Sequence, residues 1–149
     1  MSDVATRSVK APWHLWVVGI VSVLWNSMGV LDFSMTQWNS EAWLKSFTPE
    51  QVAYIKQFPL WSLICWGAGV YGGFIGSILL LARKTWAVPV FLVSLFGAIM
   101  TSVYSHVLTD GAKMMGEGAG AAIFSAVIVA VAALLLWYSF AMCRRGVLR

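Results

Sequence analysis

AAIFSAVIVAVAALLLWYSFAM, residues 121–142, runs for twenty-two positions without a charged side chain. A helix rises about 1.5 Å per residue, so about 20 apolar residues cross a hydrocarbon core about 30 Å thick. In lipid only a helix or a closed barrel satisfies every backbone N–H and C=O, and a run this long and this uniform reads as a helix. Three more stretches meet the same criterion: Trp13 to Met35, Leu60 to Ala82 and Trp86 to Leu108. Four spans predict an all-α membrane protein, a four-transmembrane-helix bundle forming one domain over residues 1–149.

Composition agrees. The chain is 60% hydrophobic and 11% charged, where a soluble domain carries about 25% charged residues. Aromatic rings stand at the span ends, at Trp13, Trp16, Trp38, Trp61, Trp86, Trp137 and Tyr138, as expected for a belt at headgroup level. Pro12 and Pro59 mark helix starts, and Pro89 falls in a first turn, where a missing N–H costs little and no kink is expected. The first span is too long for a signal-peptide core and no small-residue cleavage site follows it, so it is expected to stay.

The net charge of +4 is a topology signal and not a nucleic-acid surface. Seven of ten basic residues (Arg7, Lys10, Arg83, Lys84, Arg144, Arg145, Arg149) flank one side of the spans, against Lys45, Lys56 and Lys113 on the other. The positive-inside rule then predicts both termini and the 83–85 turn in the cytoplasm. Cys65 and Cys143 fall toward opposite faces, too far apart for a disulfide.

Two connections lie on the outer side. In the first, Thr48-Pro49-Glu50-Gln51 is a capping box with Pro at the first helical position. It opens a short helix to about Gln57 whose Val52, Ile55 and Phe58, with Trp43, Leu44 and Phe47 before it, suit an amphipathic helix on the membrane surface. The second connection, Asp110 to Gly120, holds four glycines and reads as a flexible loop.

Because lipid gives helices no hydrophobic reason to associate, small residues that let backbones approach must supply it. Gly69, Gly72, Gly73 and Gly76 give the second span such a face, for use inside the bundle or between copies. Gly19, Ser22, Asn26 and Gly29 give one to the first span, and Ser94, Gly97, Thr101 and Tyr104 to the third. Gly118, Ala122, Ala126 and Ala130 form the ladder of the fourth.

Charge within a span is costly and usually functional. Asp32, in the outer half of the first span, is the one acid there; Asn26 lies deeper on the same helix, and His106 stands near the outer end of the third span. The three are the candidate polar site, with Asp32 and His106 expected to face each other as a proton or cation relay, a polar binding site, or a structural hydrogen bond. His14 and His106 lie at opposite depths, which argues against a bis-histidine haem. No lysine lies within a span for a Schiff base. Catalytic motifs of the metalloprotease, serine-hydrolase and phosphate-loop types are missing, so no catalytic residue, metal or cofactor is assigned. Met114 and Met115 beside His106 and Cys65 lack the ordered spacing of a soft-metal site. Glu117 reads as a solvated charge.

Trp25-Asn26-x-x-Gly29-x-x-Asp32-Phe33, Phe47-Thr48-Pro49-Glu50-Gln51, Trp66-Gly67-Ala68-Gly69-Val70-Tyr71-Gly72-Gly73, Trp86-Ala87-Val88-Pro89-Val90-Phe91 and Asp110-Gly111 are spread along nearly the whole chain. In these segments the chain resembles a group of small four-span proteobacterial inner-membrane proteins, some of which carry the label "sugar transporter". The resemblance implies a bacterial inner-membrane setting and makes Trp25 to Phe33 the group's signature; it assigns no catalytic or binding residue. Three functional classes follow. One is a solute transporter or channel unit, a homo-oligomer because four helices are expected to enclose too little volume alone. Another is an accessory or assembly subunit of a larger membrane complex, and a third is a membrane enzyme acting on lipid or quinone with Asp32 and His106 as acid and base.

Overall fold

The computed structural model describes residues 9–116 and 118–149, so Arg7 and Glu117 lie outside the described residues. In chain order the elements are α1 (Trp13–Gln37), α2 (Glu41–Leu44), α3 (Pro49–Lys56), α4 (Leu60–Leu81), α5 (Ala87–Val103), which continues as a π-helical turn over Tyr104–Leu108, α6 (Gly111–Met114) and α7 (Gly118–Arg144). Among the described residues there is no strand. Helices α1, α4, α5 with its π turn, and α7 are each long and apolar enough to cross a membrane, and the chain is a multi-pass, all-helical membrane protein.

The two central helices are α4 and α5; α1 packs against α4, and α7 against α5. What joins the centre is glycine. A Cβ added to Gly97 would meet the Cys65 carbonyl and come within 2.7 Å of the Gly69 nitrogen. On the other side, one added to Gly72 would lie 3.1 Å from Ser94 Cβ, and one added to Gly76 2.9 Å from the Phe91 ring. Gly73 has the Asn26 side chain of α1 on one flank and Ser94 of α5 on the other. The glycine face of α4 is thus turned into the bundle. Ser94 Oγ donates to the Gly69 carbonyl across this seam at 2.6 Å, and Ser77 Oγ to the Gly73 carbonyl of its own helix at 2.7 Å.

The small-residue ladder of α7 does the opposite of what its spacing predicts. Ala122, Ala126 and Ala130 are exposed, while Leu135, Ser139 and Met142 face inward. Leu135 and Met142 belong to the core at the basic end, and a helix anchored through them must carry the 122–126–130 line on its outer side.

The basic end is closed. Leu15, Leu80, Phe91, Leu135 and Met142 meet there with Val147 and Leu148 of the C-terminal tail. Gly146, at φ 69°, ends α7 in a left-handed turn, and the Val147 N–H reaches back to the Met142 carbonyl at 3.0 Å. The tail then pairs with the α4–α5 connection: the Arg149 N–H donates to the Arg83 carbonyl (2.7 Å) and the Thr85 N–H to the Arg149 carbonyl (3.0 Å). Arg83 itself has φ 58°, which costs a non-glycine residue about 1–2 kcal/mol. Its guanidinium donates to the carbonyls of Val147 (3.0 Å) and Val9 (2.7 Å). Hydrogen bonds from a charged donor contribute about 1.5–3 kcal/mol each, enough to offset the strain. One arginine thereby ties the segment before α1, at Val9, and the tail after α7, at Val147, to the central connection.

At the other end the capping box forms in full, with Gln51 N–H to Thr48 Oγ1 at 3.3 Å and Thr48 N–H to Gln51 Oε1 at 3.0 Å. The stretch from Asp110 to Gly120 is not all loop: α6 makes a helical turn, with Lys113 paired to Asp110 at 3.0 Å.

Gly97→Ala forces backbone apart and is expected to destabilise the chain by about 1–3 kcal/mol. Gly120→Ala, where an added Cβ meets nothing within 4 Å, is expected to stay within about 0.5 kcal/mol. Thermal melting followed by circular dichroism in detergent compares them; equal melting temperatures would contradict the backbone contact.

Candidate functional site: an intramembrane cavity

With α4 and α5 pinned together, the position of the outer two helices decides the interior. At the basic end α1 and α7 meet, the His14 ring bonding the Tyr138 hydroxyl. Farther along they are held apart by a cavity of about 560 Å³. Phe91 and Leu135 form its floor, and Gly69, Ser94, Ala98 and Thr101 belong to its back wall. Trp25 and Met28 of α1 and Ile128 and Ala132 of α7 form the flanks. Met28 lines the cavity and is nevertheless 69% exposed, so the side between α1 and α7 opens toward the surroundings, which for a spanning helix is the bilayer. A second chamber of about 280 Å³ continues outward, sharing Asp32, Trp66, Thr101, Ser105 and Ser125 with the first.

This upper chamber has a roof made by the α1–α4 and α5–α7 connections at the end away from the basic clusters. Tyr54 of α3 is buried, its hydroxyl bonded to Thr109 Oγ1 at 2.7 Å and seated over Gly111. Phe58 packs against the rings of Tyr54, Tyr104 and Trp66, with centroids 4.9–6.0 Å apart. The expected surface helix therefore folds over the bundle end, with Ile55 and Phe58 lining the chamber. A sequence read on its own has no sign of this, because Tyr54 is fixed by Thr109, 55 positions farther along the chain.

The three candidate polar residues fall at three levels. Asn26 is spent on packing: its Nδ2 donates to the Ser22 carbonyl (2.8 Å) and to Ser77 Oγ (3.2 Å), joining α1 to α4 low in the cavity. Asp32 lines both chambers, and its Oδ1 accepts from the Trp43 indole N–H at 3.2 Å. His106 stands in the π turn, its Nε2 on Ser125 Oγ of α7 at 2.8 Å. Asp32 and His106 share the upper chamber and are each bonded to another residue, with no bond between them. A π turn interrupts the regular ladder and is frequent at functional sites. Here it supplies the one side-chain hydrogen bond to α7 from α5 and its π turn among the described residues.

Sequence reading missed Trp43, Thr36 and Ser125 as lining residues. Thr36 is buried, lines the upper chamber and has no hydrogen-bond partner for its hydroxyl among the described residues. Thr101 and Ser105, four apart on α5, were open to detection as a polar line on one helix face. Trp43 and Ser125 reach the cavity only through tertiary geometry. No group of three or more metal-ligating side chains occurs among the described residues. Comparison with protein-family models, curated proteins and solved structures returns no match.

Tyr54→Phe removes the hydroxyl that fastens the roof. A neutral hydrogen bond is worth about 0.5–1.5 kcal/mol, so amides of residues 49–56 are expected to exchange several-fold faster with deuterium while those of α4 hold. Unchanged exchange across 49–56 would show that the roof is held by packing alone.

Proposed function

We propose that the protein is a membrane carrier that takes an amphipathic small molecule from the bilayer into the cavity between α1 and α7. The observation that carries this is the cavity's composition and opening. Its walls are mostly apolar and aromatic; Asn26 and Ser94, deep in it, are engaged in hydrogen bonds between helices, while Asp32, Thr101, Ser105 and Ser125 gather toward the other end, and Met28 flanks a lateral mouth. Such a site gives an apolar body an oily lodging and a polar head a small set of partners. A free sugar, with hydroxyls all round, finds too few hydrogen-bond partners here to replace its water. The volume lies within one chain, so binding needs no second copy. The closed basic end and the roofed outer end suit a molecule that enters sideways. The basic clusters support an orientation with both termini cytoplasmic, and the resemblance to small proteobacterial proteins supports the bacterial inner membrane.

A second reading has one observation behind it: the exposed line Ala122, Ala126, Ala130 on α7. Small residues on a lipid-facing helix allow close approach by another helix, as an accessory subunit or a homo-oligomer requires.

Native mass spectrometry of the protein released gently from its membrane tests both. A lipid-sized molecule bound in stoichiometric amount is expected, and Ala132→Trp, which fills the cavity from α7, is expected to lose it. A bare chain in each case would contradict the carrier reading, and a stoichiometric foreign polypeptide would favour the accessory one.

A further inference from the structure

We infer that the molecule taken by this cavity is an organic cation, held by the Asp32 carboxylate and the aromatic rings around it. This assignment rests on the carrier reading and names its substrate class. Among the described residues Asp32 is the one carboxylate lining either chamber, and no lysine or arginine lines them. A carboxylate at membrane depth is costly without a counter-charge, and such residues pair with one another, with backbone or with what they bind. Asp32 has the Trp43 N–H on Oδ1 and no positively charged partner among the described residues. The one ion pair among the described residues, Lys113 with Asp110, is exposed and lies elsewhere. The counter-charge is left for the ligand to supply.

The rings agree with that sign. Trp43 is fixed beside the carboxylate by its own hydrogen bond, and Trp25, Trp66 and Phe124 line the same space. Aromatic faces carry the negative side of a quadrupole and attract cations, above all onium groups that have no N–H to offer. An anion would meet these faces and Asp32 together, and both repel it. His106 and Tyr54 are the other titratable groups lining the upper chamber among the described residues, and they are engaged with Ser125 and Thr109. Lipophilic cations partition into bilayers without help, so a mouth between α1 and α7 is where they would arrive.

Tetraphenylphosphonium and tetraphenylborate are nearly the same shape with opposite charge, and they separate charge from oiliness. Their binding to the full chain is measured by equilibrium dialysis in nonionic detergent, against protein-free micelles. Saturable, stoichiometric binding of the phosphonium is expected, with the borate about tenfold weaker or more. Asp32→Asn is expected to weaken the phosphonium by about tenfold with little effect on the borate, and Asp32→Glu to restore it. Trp25→Leu, on the open flank, supplies a second variant if Asp32→Asn fails to fold, and is expected to weaken the phosphonium alone. Equal binding of the two ions, or phosphonium binding indifferent to Asp32→Asn, overturns the cation assignment and leaves the cavity reading standing. If neither ion binds while a lipid remains bound in native mass spectra, the cation assignment falls alone; if nothing binds at all, both fall.

Discussion

The close approach of α4 and α5 is the constraint from which the rest of the structure follows. At Gly97 the backbone of α4 leaves no room for a methyl group, at Gly69 the fit is tight, and Ser94 closes the seam with a hydrogen bond to the Gly69 carbonyl. In lipid, where apolar side chains gain nothing by leaving one apolar neighbour for another, this contact and its hydrogen bonds decide which helices pair. Two helices so joined form a wall. Helix α1 adds to one edge through Asn26, which fits against Gly73, and α7 adds to the other.

A wall with two flanking helices need not close. Here the flanks meet at the basic end, where Leu15, Leu80, Phe91, Leu135 and Met142 pack and Arg83 binds the chain's two terminal segments. They part toward the other end, and the gap is the cavity. The polar side chains sort accordingly. Ser22, Ser77 and Thr101 bond back to carbonyls of their own helices, at Gly19, Gly73 and Gly97. These bonds satisfy hydroxyls within the helices that carry them. Asp32 and Thr36 have no such outlet and sit where α1 borders the upper chamber. Asp32 and the unpartnered Thr36 hydroxyl therefore border the space that a bound molecule would occupy.

The four spans were legible because length and the absence of charge are local properties, and the Thr48 capping box was legible because its partners are three residues apart. Asp32 stood out as the one acid in an apolar run. The glycines of α4 announced a packing face, and the structure turns that face inward. The similar ladder on α7 faces out, because spacing shows that a face exists and says nothing about what meets it. The cavity had no sequence signal. It arises from the divergence of α1 and α7, set by the core at one end and by the His106–Ser125 bond and the α3 roof at the other. Each of these joins residues far apart in the chain or depends on a π turn that no residue pattern foretold. The α6 turn within the loop expected at Asp110 to Gly120 has no sequence sign for the same reason: Gly111 is where Tyr54 seats and α6 begins, and a glycine used for close approach looks no different in sequence from one used for flexibility.

The most direct test of this account is a crystal structure of the chain grown from a lipidic phase, in which the bilayer side of the cavity meets lipid. The account predicts α1 and α7 in contact near His14 and Tyr138 and separated farther out, with elongated non-protein density reaching from the lateral mouth toward Asp32. Helices α1 and α7 packed along their full length, with Met28 and Ile128 in contact and no space beside Asp32, would contradict it.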